Sequence, residues 1–328
     1  MNKRMTSPLN PHLFDADVEK IPTRNGYGDA LVILGKKDPR VMVLSGDLTE
    51  STRAHLFREA FPERFIECGV AEQNMLGIAA GLALSGKIPF VCSYAVFMPG
   101  RTWDQLRVSV CYSNANVKIA GAHAGLSVGP DGATHQALED LAITRVLPGL
   151  TVIAPCDYLE TKKATLAAAK IKGPVYLRFA RDATPSITTP RTPFVIGQSL
   201  VLREGQDVTL AACGPLLYEA LRAAQVLETQ HIHAEVINCH TLKPFDEETL
   251  INSVKKTGCC VTIEEHQIIG GLHSVVCETL SRNHPAPVSA IGMPDSFGQS
   301  GEPQELLTHY HMTAEDIVQA AKRVIKKK

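Results

Sequence analysis

The sequence has almost no net charge: 33 basic and 34 acidic side chains leave −1 over 328 residues. That gives no basis for binding nucleic acid or an anionic membrane surface. No run reaches the ~20 apolar residues that span a bilayer. Met1-Asn2-Lys3-Arg4 leads into Ser, Pro and Asn rather than an apolar segment, so no secretory signal is expected. The nine cysteines are odd in number and form no Cys-x-x-Cys. They read as buried small hydrophobes in a reducing cytoplasm, with Cys92, Cys111, Cys213, Cys239 and Cys277 inside apolar runs, and they build no metal site. There is no repeat of 20–50 residues, no Gly-x-Gly-x-x-Gly and no Walker loop. Tryptophan occurs once.

What is present describes a globular protein, 45% hydrophobic and 20% charged, long enough for two domains. Short apolar runs alternate with helix-period segments. Strands are expected at Val41–Ser45, Arg64–Cys68, Ile88–Tyr94, Val117–Ala122, Thr151–Ala154 and Val175–Phe179. Helices are expected at Asn25–Lys36, Ala71–Leu84, Thr102–Ser113, Ala137–Val146 and Leu159–Lys170. Such alternation predicts an α/β fold, with a mainly parallel sheet covered by helices. Residues 183–196 break the pattern with Pro185, Pro190 and Pro193 and four threonines, which reads as a linker. The alternation then restarts, with strands at Val208–Ala212, Ala234–Asn238, Cys260–Glu264 and Val288–Ile291. The expected organisation is a loosely docked N-terminal arm over 1–24, one α/β domain over 25–182, the linker, and a second, smaller α/β domain over 197–328.

Three loops hold the chemistry. Glu72 stands between an expected strand and a helix whose residues Met75–Leu84 leave no polar face, so that helix is expected to be buried all round. An acid at its mouth is partly desolvated and suited to sharing a proton; the bland alternative is a first-turn glutamate favoured by the helix dipole. The second loop, His123 to Gln136, places His123, Asp131 and His135 among Gly125, Gly129 and Gly132 after a strand. Ligands of open α/β sheets bind at that carboxyl edge. The cluster fits a polyhydroxylated or anionic ligand better than a metal, although either histidine could be structural. At the third, Arg181 lies just past a strand, where a guanidinium can fork onto a phosphate or make a surface salt bridge. Tyr94, Phe97 and Trp103 lie near the same edge and could stack on a flat heterocycle or pack in the core.

Taken together the residues resemble the C-terminal half of transketolase, from about residue 20 to the end. The similar stretches are Ser45-Gly-Asp47-Leu-Thr, Gly69-Val-Ala-Glu72-Gln and Asp131-Gly-Ala-Thr-His135-Gln136, followed by Thr241-Leu-Lys-Pro-Phe-Asp246 and Val261-Thr-Ile-Glu-Glu265-His266 with Gly270-Gly271. The resemblance implies a pyrimidine-binding fold for thiamine diphosphate, then a transketolase C-terminal domain. It implies a transketolase-type transferase of carbohydrate metabolism that moves a two-carbon ketol unit from a ketose phosphate to an aldose phosphate. Glu72 matches the glutamate that shares a proton with the aminopyrimidine ring, and Phe97, with Tyr94 beside it, the aromatic stacked on that ring. Asp47 falls in a loop near the cofactor. His123, Asp131 and His135 match substrate-binding residues, with His123 polarising a substrate oxygen; Ser51 and Arg181 match phosphate contacts.

The departures matter as much. The family holds the cofactor's diphosphate and Mg²⁺ through a Gly-Asp-Gly motif, and this chain has none. The resemblance therefore implies a split transketolase, active only with an N-terminal partner subunit that carries the diphosphate and metal. Two such pairs are expected to form a heterotetramer. Gly77 and Gly81, four apart, would permit close helix packing at that interface. Deoxyxylulose phosphate synthase and the β subunit of 2-oxo-acid dehydrogenases are related alternatives. The first lacks a histidine at the place of His123, and the second lacks the Asp131–Gln136 stretch. A non-catalytic transketolase-like regulatory subunit is the remaining one, and it has no reason to keep Glu72, His123, Asp131, His135 and Arg181 together.

Overall fold

The computed structural model describes residues 5–328; residues 1–4, the start of the expected arm, lie outside them. The strands, in chain order, are β1 (Lys20–Pro22), β2 (Val41–Ser45), β3 (Phe65–Glu67), β4 (Ile88–Tyr94), β5 (Lys118–Ala122), β6 (Thr151–Ile153), β7 (Val175–Arg178), β8 (Ala183–Pro185), β9 (Leu200–Arg203), β10 (Val208–Ala212), β11 (Ala234–Asn238), β12 (Thr241–Lys243), β13 (Cys260–Gln267) and β14 (Val288–Met293). Among the described residues they form a seven-stranded sheet ordered β12-β6-β7-β5-β4-β2-β3, a five-stranded sheet ordered β14-β13-β10-β11-β9, and the antiparallel pair β1-β8. Both large sheets are parallel except for one antiparallel edge strand each, β12 and β9. This is the doubly covered α/β architecture that the alternation implies: strands buried on both faces need crossover helices.

Three features of the packing depart from the sequence expectation. The arm is not loosely docked. β1 pairs with β8 in the linker, the Asn10 N–H donates to Ile187 O at 2.9 Å, and Leu13 is buried in the core of the second sheet. β12, which follows the five-stranded sheet's β11 in the chain, leaves that sheet and closes the edge of the seven-stranded one. One core cluster joins Leu126 and Leu138 of the first half to the strands and helices of the second. The third departure is the helix Glu72–Leu84. It buries Met75, Leu76, Ala79 and Ala80 but leaves Gly77, Gly81 and Leu84 exposed, so it is apolar all round without being buried all round.

Two expected helices are shorter or irregular. Residues 102–113 form the turn Trp103–Gln105 followed by a π-helix, Leu106–Tyr112. Only Asp140–Arg145 remains of the helix expected from Ala137. Its first turns are unavailable because Ala137 O and Leu138 O accept from the Gly125 and Gln267 N–H groups. The cysteines are all free; Cys111 and Cys277, expected to be buried, are half-buried. No helix among the described residues is long and apolar enough to cross a membrane.

Candidate active site

The side chains singled out by sequence come from the carboxyl ends of five adjacent strands, β7, β5, β4, β2 and β3. β5 delivers His123, which sits at φ 54° and is 2% exposed. β4 delivers Tyr94 and, one turn on, Phe97, with ring centroids 6.0 Å apart and nearly parallel planes. The Tyr94 ring lies 4.1 Å from that of His123, and His135 stands edge-on to Phe97 at 5.5 Å. β3 leads to Glu72, 2% exposed at the start of its helix. A Cβ placed on Gly46 would lie 3.6 Å from Glu72 Cγ, so the loop after β2 borders the carboxylate. Arg181, beyond β7, donates to Val128 O at 2.7 Å and so touches the loop that carries both histidines.

The remaining expected residues are less engaged. Asp47 is exposed at φ 62°; its N–H is held by Glu67 Oε1 at 2.7 Å, which fixes the loop but leaves the carboxylate in solvent. Asp131 is exposed at the end of the turn Leu126–Asp131. Ser51 meets the cluster through its carbonyl. Trp103 does not face the cluster: its Nε1–H donates to Ile143 O at 2.8 Å and its ring packs on the core.

Two arginines belong to the cluster and were not expected there. Arg24 falls at the last position of the supposed arm, yet the helix begins at Thr23 and puts it in the first turn. Its Nη1 donates to Ser51 O at 3.0 Å and lies 3.4 Å from His123 Nε2. Burial, followed by the Arg53 and Arg181 guanidiniums, pushes its pKa down. A cation in a first helical turn opposes the helix dipole, and that was the available signal. Arg101 donates to Glu72 Oε2 at 2.8 Å while its guanidinium carbon sits 4.7 Å over the Phe97 ring. It thus lies across two groups that the resemblance assigns to the aminopyrimidine.

His123 is the most perturbed group of the cluster. Burial, then Arg24, Arg181 and His135, lowers its pKa to about 3, so the ring is neutral at physiological pH. Arg24 can only donate, which makes Nε2 the acceptor and puts the proton on Nδ1 by inference. Nδ1 is buried without a partner. An orphaned donor beside guanidiniums suits an oxygen-rich, anionic ligand.

The sequence matches the transketolase pyrimidine-binding domain over residues 19–186 and the transketolase C-terminal domain over residues 197–317. The chain belongs to the transketolase family. Among its relatives is a putative transketolase C-terminal section of Methanocaldococcus jannaschii, 45% identical over 92% of this chain and 95% of the relative. Another is a 6-deoxy-6-sulfo-D-fructose transketolase subunit of a Clostridium species, 41% identical over 96% and 98%. A solved split-gene transketolase, described as an inactive β4 tetramer, superposes with a TM-score of 0.86 at 46% identity, over 94% of this chain and 99% of that one.

Transketolases generally use thiamine diphosphate with a divalent metal. The residues of this transketolase chain fit the pyrimidine end of that cofactor, since a buried carboxylate and an aromatic face share one guanidinium, that of Arg101. Among the described residues no group of three or more His, Cys, Asp or Glu side chains is placed to hold a metal ion. Residues 125–129 spell Gly-x-Ser-x-Gly, the pattern of a hydrolase nucleophile elbow. Here Ser127 follows no strand-to-helix elbow. It lies on a 3-10 turn, and its N–H is bound by Glu265.

Proposed function

We propose that this chain is the C-terminal subunit of a two-subunit transketolase that moves a two-carbon ketol unit from a ketose phosphate to an aldose phosphate. The observation that carries the reading is the linking of Glu72 to the Phe97 face through Arg101, and the meeting of His123 with Arg24 and Arg181, along one sheet edge. Bound thiamine diphosphate supplies the carbon nucleophile that accepts and releases the ketol unit. Glu72 would hold the aminopyrimidine by sharing a proton with it, and Phe97 and Tyr94 would stack against it. Arg101 must then yield the face of Phe97 that it covers. Asp47 would line the cofactor's side of the loop.

For the sugar, neutral His123 would donate through Nδ1 to a substrate oxygen, a donor that needs no reprotonation between pH 5 and 9. Asp131 and His135 would bind hydroxyls and the tail. Arg24, Arg181 and Ser51 would take its anionic end. Guanidiniums accept a phosphate or a sulfonate alike, and the sulfosugar transketolase relative makes the sulfonate worth including among substrates.

An N-terminal partner subunit would supply the diphosphate and Mg²⁺ ligands, with two pairs forming a heterotetramer. The relatives matched end to end are named as a C-terminal section or a subunit, which supports this reading. So does an apolar surface that includes Val70, Leu84 and Tyr112, 70%, 68% and 88% exposed, with Gly77 and Gly81 open to close approach. In this reading 25–182 and 197–328 are the two domains, joined by 183–196, and the protein works in the cytoplasm.

The test is co-expression with the partner subunit, followed by ketol-transfer assays on a panel of ketose phosphates and sulfonates with thiamine diphosphate and Mg²⁺. Transfer by the pair, no transfer by the chain alone, and a loss of about 100-fold or more in Glu72→Gln are expected, because a carboxamide cannot share the ring proton. Full activity of Glu72→Gln, or of the chain without its partner, would sink the proposal.

A further inference from the structure

We propose that Glu265, supplied by the second domain, is a positioning residue for the loop 123–136 of the first, so that the second domain sets the geometry of the substrate site. The inference rests on the transketolase reading above for what the loop does, and on contacts of this chain for how it is held.

Glu265 stands near the carboxyl end of β13 and is 2% exposed. It accepts the Ser127 N–H. Its own backbone is anchored, since Arg178 Nη2 donates to Glu265 O at 2.7 Å while Arg178 Nε bonds Asp140 Oδ2 at 2.9 Å. The loop glycines face the same domain. Gly125 has φ +94°, and a Cβ there would come 2.6 Å from Glu265 Oε1; a Cβ on Gly132, φ +72°, would come 2.6 Å from Ser300 Oγ. Their small size therefore admits the second domain as well as a ligand. Gln136 completes the brace, its Nε2 donating to Leu126 O at 3.1 Å and to Gln299 O at 3.0 Å.

His123 lies two residues before Gly125 and sits at φ 54°, an uncommon backbone conformation for a non-glycine residue, which its surroundings help to fix. The surroundings are the Ala124 N–H to Phe179 O bond, the Gly125 N–H to Ala137 O bond, and Glu265. Without the carboxylate the buried Ser127 N–H loses its acceptor. The turn that carries His123 toward Tyr94 on one side and Asp131 on the other then loses its second-domain support. Burial raises the Glu265 pKa, opposed by the Ser127 bonds and Arg178, so the site keeps an acidic group where an apolar one would be easier to bury.

The experiment compares Glu265→Ala and Glu265→Gln in the complex with the partner subunit. Glu265→Ala is expected to raise KM for the ketose about tenfold while moving kcat and thiamine diphosphate affinity far less. Glu265→Gln keeps an acceptor oxygen and should recover most of the loss. In the whole chain alone, hydrogen exchange at amides 124–132 should quicken in Glu265→Ala and stay unchanged in β2 and β4. Unchanged KM with unchanged exchange overturns the inference. So does exchange quickened throughout both domains in both variants, which marks a merely structural carboxylate. If the wild-type pair transfers no ketol unit, the functional reading fails instead, and the exchange measurement alone decides the inference.

Discussion

Arg24 shows how a residue can be plain in a fold and hidden in a sequence. Read as the end of a polar arm it has no neighbours; one helical turn placed under it brings Ser51, His123 and two further guanidiniums within reach. Arg24→Ala should raise KM for a phosphorylated ketose about tenfold and leave kcat nearly unchanged, the pattern of lost uniform binding; steady-state kinetics on phosphorylated and unphosphorylated substrates checks it. His123 should show no titration between pH 5 and 8 in an NMR pH series, because burial and its cationic neighbours hold its pKa near 3. An inflection near the ordinary histidine value would remove it from the neutral-donor role. Glu72 was readable as an acid at a helix mouth. Its partner Arg101 was not, because 29 residues separate them and only the fold closes that distance.

At the scale of elements, period and composition located most strands and helices, since burial patterns repeat along a chain. They failed where a segment's hydrogen bonds go elsewhere. The helix expected from Ala137 starts only at Asp140 because Ala137 and Leu138 serve neighbouring segments. The helix Tyr158–Ala168 carries a testable electrostatic feature. Glu160 in its first turn is fully buried, accepts from the Cys156 N–H at 2.8 Å and from Asn238 Nδ2 of β11 at 2.7 Å, and has Asp157 nearby. Burial, then Asp157, raises its pKa from 4.5 to about 7. Between those values the native state binds more protons than the unfolded chain, so this group makes stability fall as pH rises through the window, with its full cost above pH 7. Thermal unfolding should accordingly show Glu160→Gln gaining on wild type from pH 5 to pH 8. A gap that narrows with rising pH would contradict it.

At the scale of the whole molecule, apolar surface remains on the outer face of the helix Glu72–Leu84 and near it. Leu84→Asp should leave the isolated chain's Tm within a few degrees, since the side chain is 68% exposed, yet weaken association with the proposed partner subunit about tenfold, measured by analytical ultracentrifugation. The sequence by itself determined the two-part α/β plan, the strand edges that bear the candidate site, and the motifs that point to transketolase, because each is written in contiguous residues and local periods. Only the tertiary structure decided that β12 crosses to the first sheet, that β1 ties the arm to the linker, that Arg24 and Arg101 join the site, and that Glu265 reaches the loop of His123 from 138 residues away in the chain. Such contacts are set by how packed layers meet, and pairs so distant leave no period or spacing along the chain to be read.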